Sequence, residues 1–206
     1  TAPVIEAAND ALWEFAELAL EENRSSAYLR GILEKNGFRI LPGAEGVPTS
    51  FIAEYGAGSP VIGLIAEYDA LPGMSQEKSP VCRPRQEGAP GHACGHCALG
   101  AAVLGAALVL KDCMARQELP GTIRFYGCPA EETVEGKVLM SRDHLFDSRL
   151  RGPLRYQLCV GQKKRGAHRY AVHVPRHLRP RGPGPLERSQ RVGRGGTDEC
   201  WRQLSA

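Results

Sequence analysis

The sequence contains no run of about 18 consecutive apolar residues, the length that a membrane-spanning helix requires. It also lacks a basic and then apolar leader, because its first residues include Glu6 and Asp10. Its seven cysteines are an odd number without framework spacing, which disfavours a disulfide scaffold. These absences predict a cytoplasmic protein with reduced thiols and no membrane partner.

Length and charge divide the chain into two parts. With 206 residues, 42% of them apolar, it is long enough for one domain with a sizeable core. Residues 1–147 carry 12 Lys and Arg against 20 Asp and Glu, whereas residues 148–206 carry 14 against 3. We therefore expect a folded domain over 1–147 and a disordered basic tail, rich in Arg, Gly and Pro, over 148–206.

Hydrophobic periodicity predicts alternating helices and strands within residues 1–147. Two amphipathic helices are expected over residues 4–38, the first with an apolar stripe that reaches Leu20 and the second ended by Gly37. The other predicted elements are strands at 50–55, 61–66 and 122–127, a polar loop at 72–91 and a helix at 97–118. The second strand is apolar on both faces and is expected to be central. This order predicts an α/β fold with helices around a mostly parallel sheet.

The segment GHACGHC at residues 91–97 has the highest density of metal-binding side chains. A thiolate at Cys94 and an imidazole at His96, two residues apart in a turn, can face one ion. The N-terminus of the following helix is partly positive and stabilises a thiolate. The pattern favours a metal site over buried or incidental thiols.

Two acidic clusters follow predicted strands. Glu131 and Glu132 come after the strand that ends near Tyr126, and Glu67 and Asp69 close the central strand. Open α/β sheets bind ligands at the carboxyl ends of their strands. Adjacent glutamates can divide the chemistry, one binding a cation while the other takes a proton from water. Taken alone, the pair also suits the first turn of a helix, so that alternative stays open.

Three motifs, in this order, resemble the zinc aminoacylase and carboxypeptidase family of metallopeptidases, specifically its amidohydrolase branch. They are EYDALPGMSQ at residues 67–76, GHACGH at 91–96 and LPGTIRFYGCPAEE at 119–132, and the resemblance covers roughly residues 5–147. It implies a hydrolase for the amide bond of N-acyl or N-aroyl amino acids, of the kind that p-aminobenzoyl-glutamate represents, or of dipeptides. It also implies two divalent metal ions, zinc or manganese, a small-molecule amide substrate and a homo- or hetero-oligomer.

The resemblance assigns roles to individual residues. Cys94, His96 and Glu132 are implied metal ligands, Glu131 the general base that activates water, and Asp69 the aspartate that supports the ligands from behind. Glu67 stands where other branches place a ligand histidine, and its role stays open.

Other features depart from the family pattern. Cys97 stands where this branch usually has Asn. The family draws two more histidine ligands from downstream, but His168, His173 and His177 do not lie in matching motifs. We therefore expect a truncated chain that lacks the dimerisation domain and is inactive as it stands.

A shifted reading frame would explain the composition of the tail, and a genuine basic, disordered tail is the alternative. Residues 190–205 can be back-translated with legal codons so that reading one base later gives SALDAVELMNVGGNFL, an amphipathic helix similar to one in this branch. Residues 174–183 in the same shift are compatible with the family-like string FHGISAHAA. Our hypothesis is that the chain past about residue 148 is translated out of frame.

Two other functions are alternatives. The CGHC segment at residues 94–97 also fits a thiol–disulfide oxidoreductase that uses Cys94 and Cys97. The basic tail fits a non-enzymatic protein that binds nucleic acid, although few aromatic residues accompany its arginines, so we expect no nucleic-acid partner.

Overall fold

A computed structural model describes residues 1–146 and 156–158 of the chain. The helices are α1 (Ala2–Phe15), α2 (Asn23–Lys35), α3 (His96–Gln117) and α4 (Gly136–Arg142). The strands are β1 (Arg39–Pro42), β2 (Phe51–Ala57), β3 (Val61–Glu67), β4 (Gly121–Cys128) and β5 (Tyr156–Leu158). The predicted α/β class is confirmed.

The five strands form one sheet in the order β1-β2-β4-β3-β5. β3 pairs in parallel with β4 and β5, whereas β2 pairs antiparallel with both β1 and β4. The sheet is therefore mixed rather than mostly parallel, because the β1–β2 hairpin adds two antiparallel pairings. The turn after β2 does not join hydrogen-bonded neighbours, since β4 lies between β2 and β3.

The core lies on both faces of this sheet. On one face, α1, α2 and α3 pack over the strands around Phe51, Leu64 and Phe125. The other face carries a smaller cluster in which Ile65 and Tyr126 pack with Met140 of α4. β3 and β4 are buried along most of their length, which confirms the central position predicted for β3.

The first helix is shorter than its apolar stripe predicts. α1 ends at Phe15, and Ala16 has the left-handed backbone φ of 43°. The Glu17 carboxylate then accepts the backbone N–H groups of Arg24 and Ser25, at 2.9 and 2.8 Å, and so caps the start of α2. Residues 16–22 are therefore a turn, which we call the helix-linking turn. The prediction of helix through Leu20 is wrong because side-chain capping of α2 competes with continuation of α1.

Two short elements, β1 and α4, are not predicted by the sequence pattern. The predicted loop at residues 72–91 is confirmed. β5 lies within 148–206, where no element is predicted, and the rest of that segment is outside the described residues.

The helix α3 is long and apolar enough, by length and composition, to cross a membrane. It packs against β3 and α1, with Leu104 and Ala107 fully buried. Gly100 allows the close approach to β3, because a Cβ there would lie 2.9 Å from the Glu67 carbonyl oxygen. α3 is thus a core helix, and the approach fixes its first turn beside the end of β3.

Candidate metal centre

Three chain segments meet at the carboxyl ends of β3 and β4. These strands are parallel neighbours, and their register places Glu67 opposite Cys128. Asp69 follows β3 by two residues, and Glu131 and Glu132, the paired glutamates, follow β4. His96, the first residue of α3, lies at the same edge. The structure thereby brings together the acidic and thiol-containing motifs that the sequence analysis places there.

The turn before α3 presents a thiol and an imidazole from one short loop. Gly95, between Cys94 and His96, has a φ of 83°, a conformation that residues with a side chain rarely adopt. The helix begins immediately afterwards, so its partly positive N-terminus lies beside Cys94.

His96 is the hub of the cluster and is only 4% exposed. Its Nδ1 lies 2.8 Å from Asp69 Oδ1. Its Nε2 lies 3.5 Å from Glu67 Oε2 and 3.7 Å from Glu131 Oε2. Both ring nitrogens therefore face carboxylates.

Burial lowers the pKa of His96, but the hydrogen bond to Asp69 and the nearby negative charges outweigh burial, so its pKa is raised above 6.5. The carboxylates around His96 favour a positive charge at this position, either a proton on the imidazole or a bound metal ion.

Asp69 connects two parts of the site and is 1% exposed. While Oδ1 binds His96, Oδ2 accepts the backbone N–H of Glu132 at 2.8 Å. Burial raises the pKa of Asp69, but the bonds from His96 and Glu132 outweigh burial and its pKa is lowered. Asp69 is therefore an ionised group that orients the His96 ring.

Two overlapping groups of side chains bring potential ligand atoms within 4.8 Å of one another. One comprises Cys94, His96 and Glu132, and the other comprises Glu67, His96 and Glu131. The first offers sulfur, nitrogen and oxygen donors, a set that suits zinc, and the second adds carboxylates, which also suit manganese. The residues present fit a divalent metal.

Lys137 is part of this site and was missed by the sequence analysis. Its Nζ lies 2.5 Å from Glu67 Oε1. Burial lowers the pKa of Lys137, but Glu67 outweighs burial and its pKa is raised. The ammonium therefore neutralises Glu67, the residue whose role the sequence analysis leaves open.

Cys97 and His92 belong to neither group of potential ligands. Cys97 is 4% exposed, and burial raises the pKa of its thiol. His92 Nε2 lies 2.9 Å from the Leu12 carbonyl oxygen in α1. His168, His173 and His177 lie outside the described residues.

Residues 63–182 match peptidase family M20/M25/M40. The chain is 41% identical over 140 residues to a p-aminobenzoyl-glutamate hydrolase subunit of Escherichia coli (strain K12), covering 67% of this chain and 29% of that protein. It is 35% identical over 138 residues to N-acetyl-L-cysteine deacetylase of Bacillus subtilis (strain 168), covering 66% of this chain and 32% of that protein.

A solved structure is also similar. The Bacillus subtilis YXEP protein, a dinuclear metal binding peptidase from the M20 family, matches with a TM-score of 0.58 and 30% identity over 71% of this chain and 41% of that one. The chain spans about a third of the length of the curated relatives that it matches.

Proposed function

The chain belongs to peptidase family M20/M25/M40, and on that basis we propose that it is part of a metal-dependent amidohydrolase that acts on N-acyl or N-aroyl amino acids. The observation that carries the proposal is the convergence of Cys94, His96 and Glu132, whose ligand atoms lie within 4.8 Å of one another. A thiolate, an imidazole and a carboxylate at one sheet edge form a metal-binding set.

Cys94, His96 and Glu132 would hold a divalent ion, zinc or manganese, and Glu67 and Glu131 offer donors toward a second. When bound, such ions act as Lewis acids that polarise an amide carbonyl and make water more acidic. The similar YXEP protein is itself a dinuclear metal binding peptidase.

We propose that Glu131 is the general base that transfers the proton. Its side chain is 19% exposed, and its Oε2 lies on the Nε2 side of His96, away from the Asp69 contact. In the reaction, a water oxygen forms a bond to the amide carbon while Glu131 takes one of the water protons. The C–N bond then breaks, and Glu131 delivers that proton to the departing amine. The products are a carboxylic acid and an amine.

The relatives indicate the substrate class. The 41% identical relative is named for p-aminobenzoyl-glutamate, an aroyl amino acid, and another for N-acetyl-L-cysteine, an acyl amino acid. We propose an N-aroyl amino acid of the p-aminobenzoyl-glutamate type for this chain. We further propose a cytoplasmic location, and assembly with other subunits in the complete protein.

A metal-binding experiment on the purified 206-residue chain tests the proposal. Titration with Co²⁺ should give a thiolate charge-transfer band, because Cys94 would be a ligand. Cys94→Ser should abolish the band, and Cys113→Ser, which removes an exposed free thiol, should keep it. An unchanged band in Cys94→Ser, or no metal binding by the wild type, would refute the proposed centre.

Hydrolysis of p-aminobenzoyl-glutamate by the metal-loaded chain tests the activity separately. We propose that this chain is inactive by itself, because it spans only about a third of the length of the curated relatives that it matches. Turnover by the chain alone would contradict the proposed inactivity and would support the substrate class.

Insulin reduction above the rate of a Cys94→Ser control would favour the oxidoreductase instead.

A further inference from the structure

We infer that Glu22 is a positioning residue for the metal centre: its carboxylate, in the helix-linking turn, holds Ala130 in the conformation that directs the paired glutamates into the site. The inference rests on the proposed function and concerns a residue that does not itself touch substrate or metal.

The first observation is the burial of Glu22. Its side chain is fully buried, at 0% exposure, although it lies in a turn between two helices. A buried carboxyl group is costly unless it is hydrogen-bonded, and such groups are kept where they have a specific partner. Glu22 does not cap its own helix through its side chain. The hydrogen-bond partner of the Glu22 carboxylate therefore lies elsewhere in the fold.

That partner is the loop that carries the paired glutamates. Glu22 Oε1 accepts the backbone N–H of Ala130 at 2.8 Å, across 108 positions of sequence. The Thr49 side chain lies near the carboxyl group and lowers its pKa, but Oε2 makes no hydrogen bond within the described residues. The Glu22 side chain is thus hydrogen-bonded to Ala130, the residue directly before Glu131.

Ala130 needs such a restraint because its backbone is strained. Its φ is 53°, in the left-handed region that residues other than glycine rarely occupy. Strain of this kind persists only where surrounding contacts over-determine it, and it is frequent at functional sites. The Ala130 carbonyl also accepts the backbone N–H of Glu135 at 3.1 Å, which closes the turn around the paired glutamates. Glu22 secures the donor side of the same residue.

The helix-linking turn reaches the other side of the site as well. The carbonyl oxygen of Glu17 accepts the backbone N–H of Ala70 at 2.8 Å, directly after Asp69. The helix-linking turn therefore restrains both loops. Glu17 accepts a hydrogen bond from the residue after Asp69, and Glu22 accepts one from the residue before Glu131.

The test compares Glu22→Ala with Glu22→Gln in the full 206-residue chain, using Zn²⁺ alone as the probe. Gln keeps an acceptor for the Ala130 N–H, whereas Ala removes it. We expect Glu22→Ala to weaken Zn²⁺ binding about tenfold, as loss of supporting contacts around metal ligands does. Glu22→Gln should stay within about threefold of the wild type. Glu21→Ala, a change at the exposed neighbour, should leave binding unchanged.

Amide hydrogen exchange keeps the inference testable if Glu22→Ala does not fold or if the wild type binds no Zn²⁺. The Ala130 amide should be protected in the wild type and in Glu22→Gln. In a folded Glu22→Ala protein, protection should be lost at residues 130–132 but kept along β4.

The outcomes separate the two hypotheses. Absence of Zn²⁺ binding by the wild type would refute the proposed function, and the exchange experiment would then decide on Glu22. A folded Glu22→Ala protein with wild-type Zn²⁺ affinity would overturn the positioning role while the metal centre stands. An unprotected Ala130 amide in the wild type would overturn it as well.

Discussion

Lys137 Nζ forms an ion pair with Glu67 Oε1 at 2.5 Å, so that an ammonium group neutralises one of the carboxylates of the candidate metal centre. Glu67 ends β3 and Lys137 lies in the first turn of α4, so the pair ties the sheet edge to the helix that follows the paired glutamates.

Lys137→Met should destabilise the metal-free protein, because it removes the ammonium group that pairs with the Glu67 carboxylate, which is 8% exposed. Since 30% of the Lys137 side chain is exposed, solvent screens part of the loss, and we expect about 1 to 2 kcal/mol in the free energy of unfolding. Urea denaturation measures it. Lys78→Met breaks an exposed pair with Asp10 and should change the unfolding free energy by less than about 0.5 kcal/mol. Equal losses of unfolding free energy in the two variants would show that the Lys137–Glu67 pair stabilises the protein no more than an exposed ion pair does.

Asp69→Asn should lower the pKa of His96, because the charged acceptor that stabilises the imidazolium becomes neutral. The change should also weaken Zn²⁺ binding about tenfold, since the imidazole loses its orienting carboxylate. NMR titration of the His96 ring protons measures the pKa in the metal-free protein. Asp112→Asn, at an exposed position, is the control. A His96 pKa that does not move would show that Asp69 does not set the charge of the ring.

Much of the site was predictable because it depends on local pattern. The apolar run of β3 and β4 and the acidic residues after each strand predict one shared edge, and parallel pairing then brings Glu67 beside Cys128. Partner choice among strands was not predictable, since insertion of β4 between β2 and β3 depends on contacts between distant segments.

The two supporting residues were also beyond sequence reasoning. Glu22 lies in the polar run EENRSS, which is typical of a solvated turn, and its burial depends on a partner 108 positions away. Lys137 meets Glu67 across 70 positions, and nothing in its neighbourhood marks it. Cys94, His96 and Glu132, by contrast, stand in recognisable motifs.

Glu22 should make the stability of the protein depend on pH. Burial raises its pKa above the ordinary 4.5, and the hydrogen bond from Ala130 offsets this only in part. Well below pH 4.5 the group is protonated in both the folded and the unfolded chain. As pH rises through the folded-state pKa, the unfolded chain has already released its proton, and stability is lost.

Glu22→Gln removes this titration. The unfolding free energy of Glu22→Gln minus that of the wild type should therefore increase with pH above 4.5 and then level off. Urea denaturation of both proteins at several pH values measures the difference. A difference that stays constant over this range would contradict the raised pKa.

Val134→Gly should stabilise the protein. Val134 has a φ of 63°, an unfavourable conformation for a β-branched residue, and its side chain is 67% exposed, so little packing is lost. We expect a gain of about 0.5 to 1 kcal/mol, the backbone strain relieved less the added entropy of glycine in the unfolded chain. Val138→Gly is the matched control: this residue is 59% exposed but lies in α4, where glycine should cost about 0.5 kcal/mol. The midpoint temperature of thermal denaturation should rise for Val134→Gly and fall for Val138→Gly. Shifts of the same sign would contradict the strain at Val134.

The charge contrast between residues 1–147 and 148–206 leads to a prediction at the level of the gene. If the second part is translated out of frame, resequencing across codons 147–172 should reveal a single-base insertion or deletion. The corrected frame should then encode SALDAVELMNVGGNFL in place of residues 190–205. One uninterrupted frame, confirmed by peptides from 148–206 in the natural protein, would show that the basic tail is genuine.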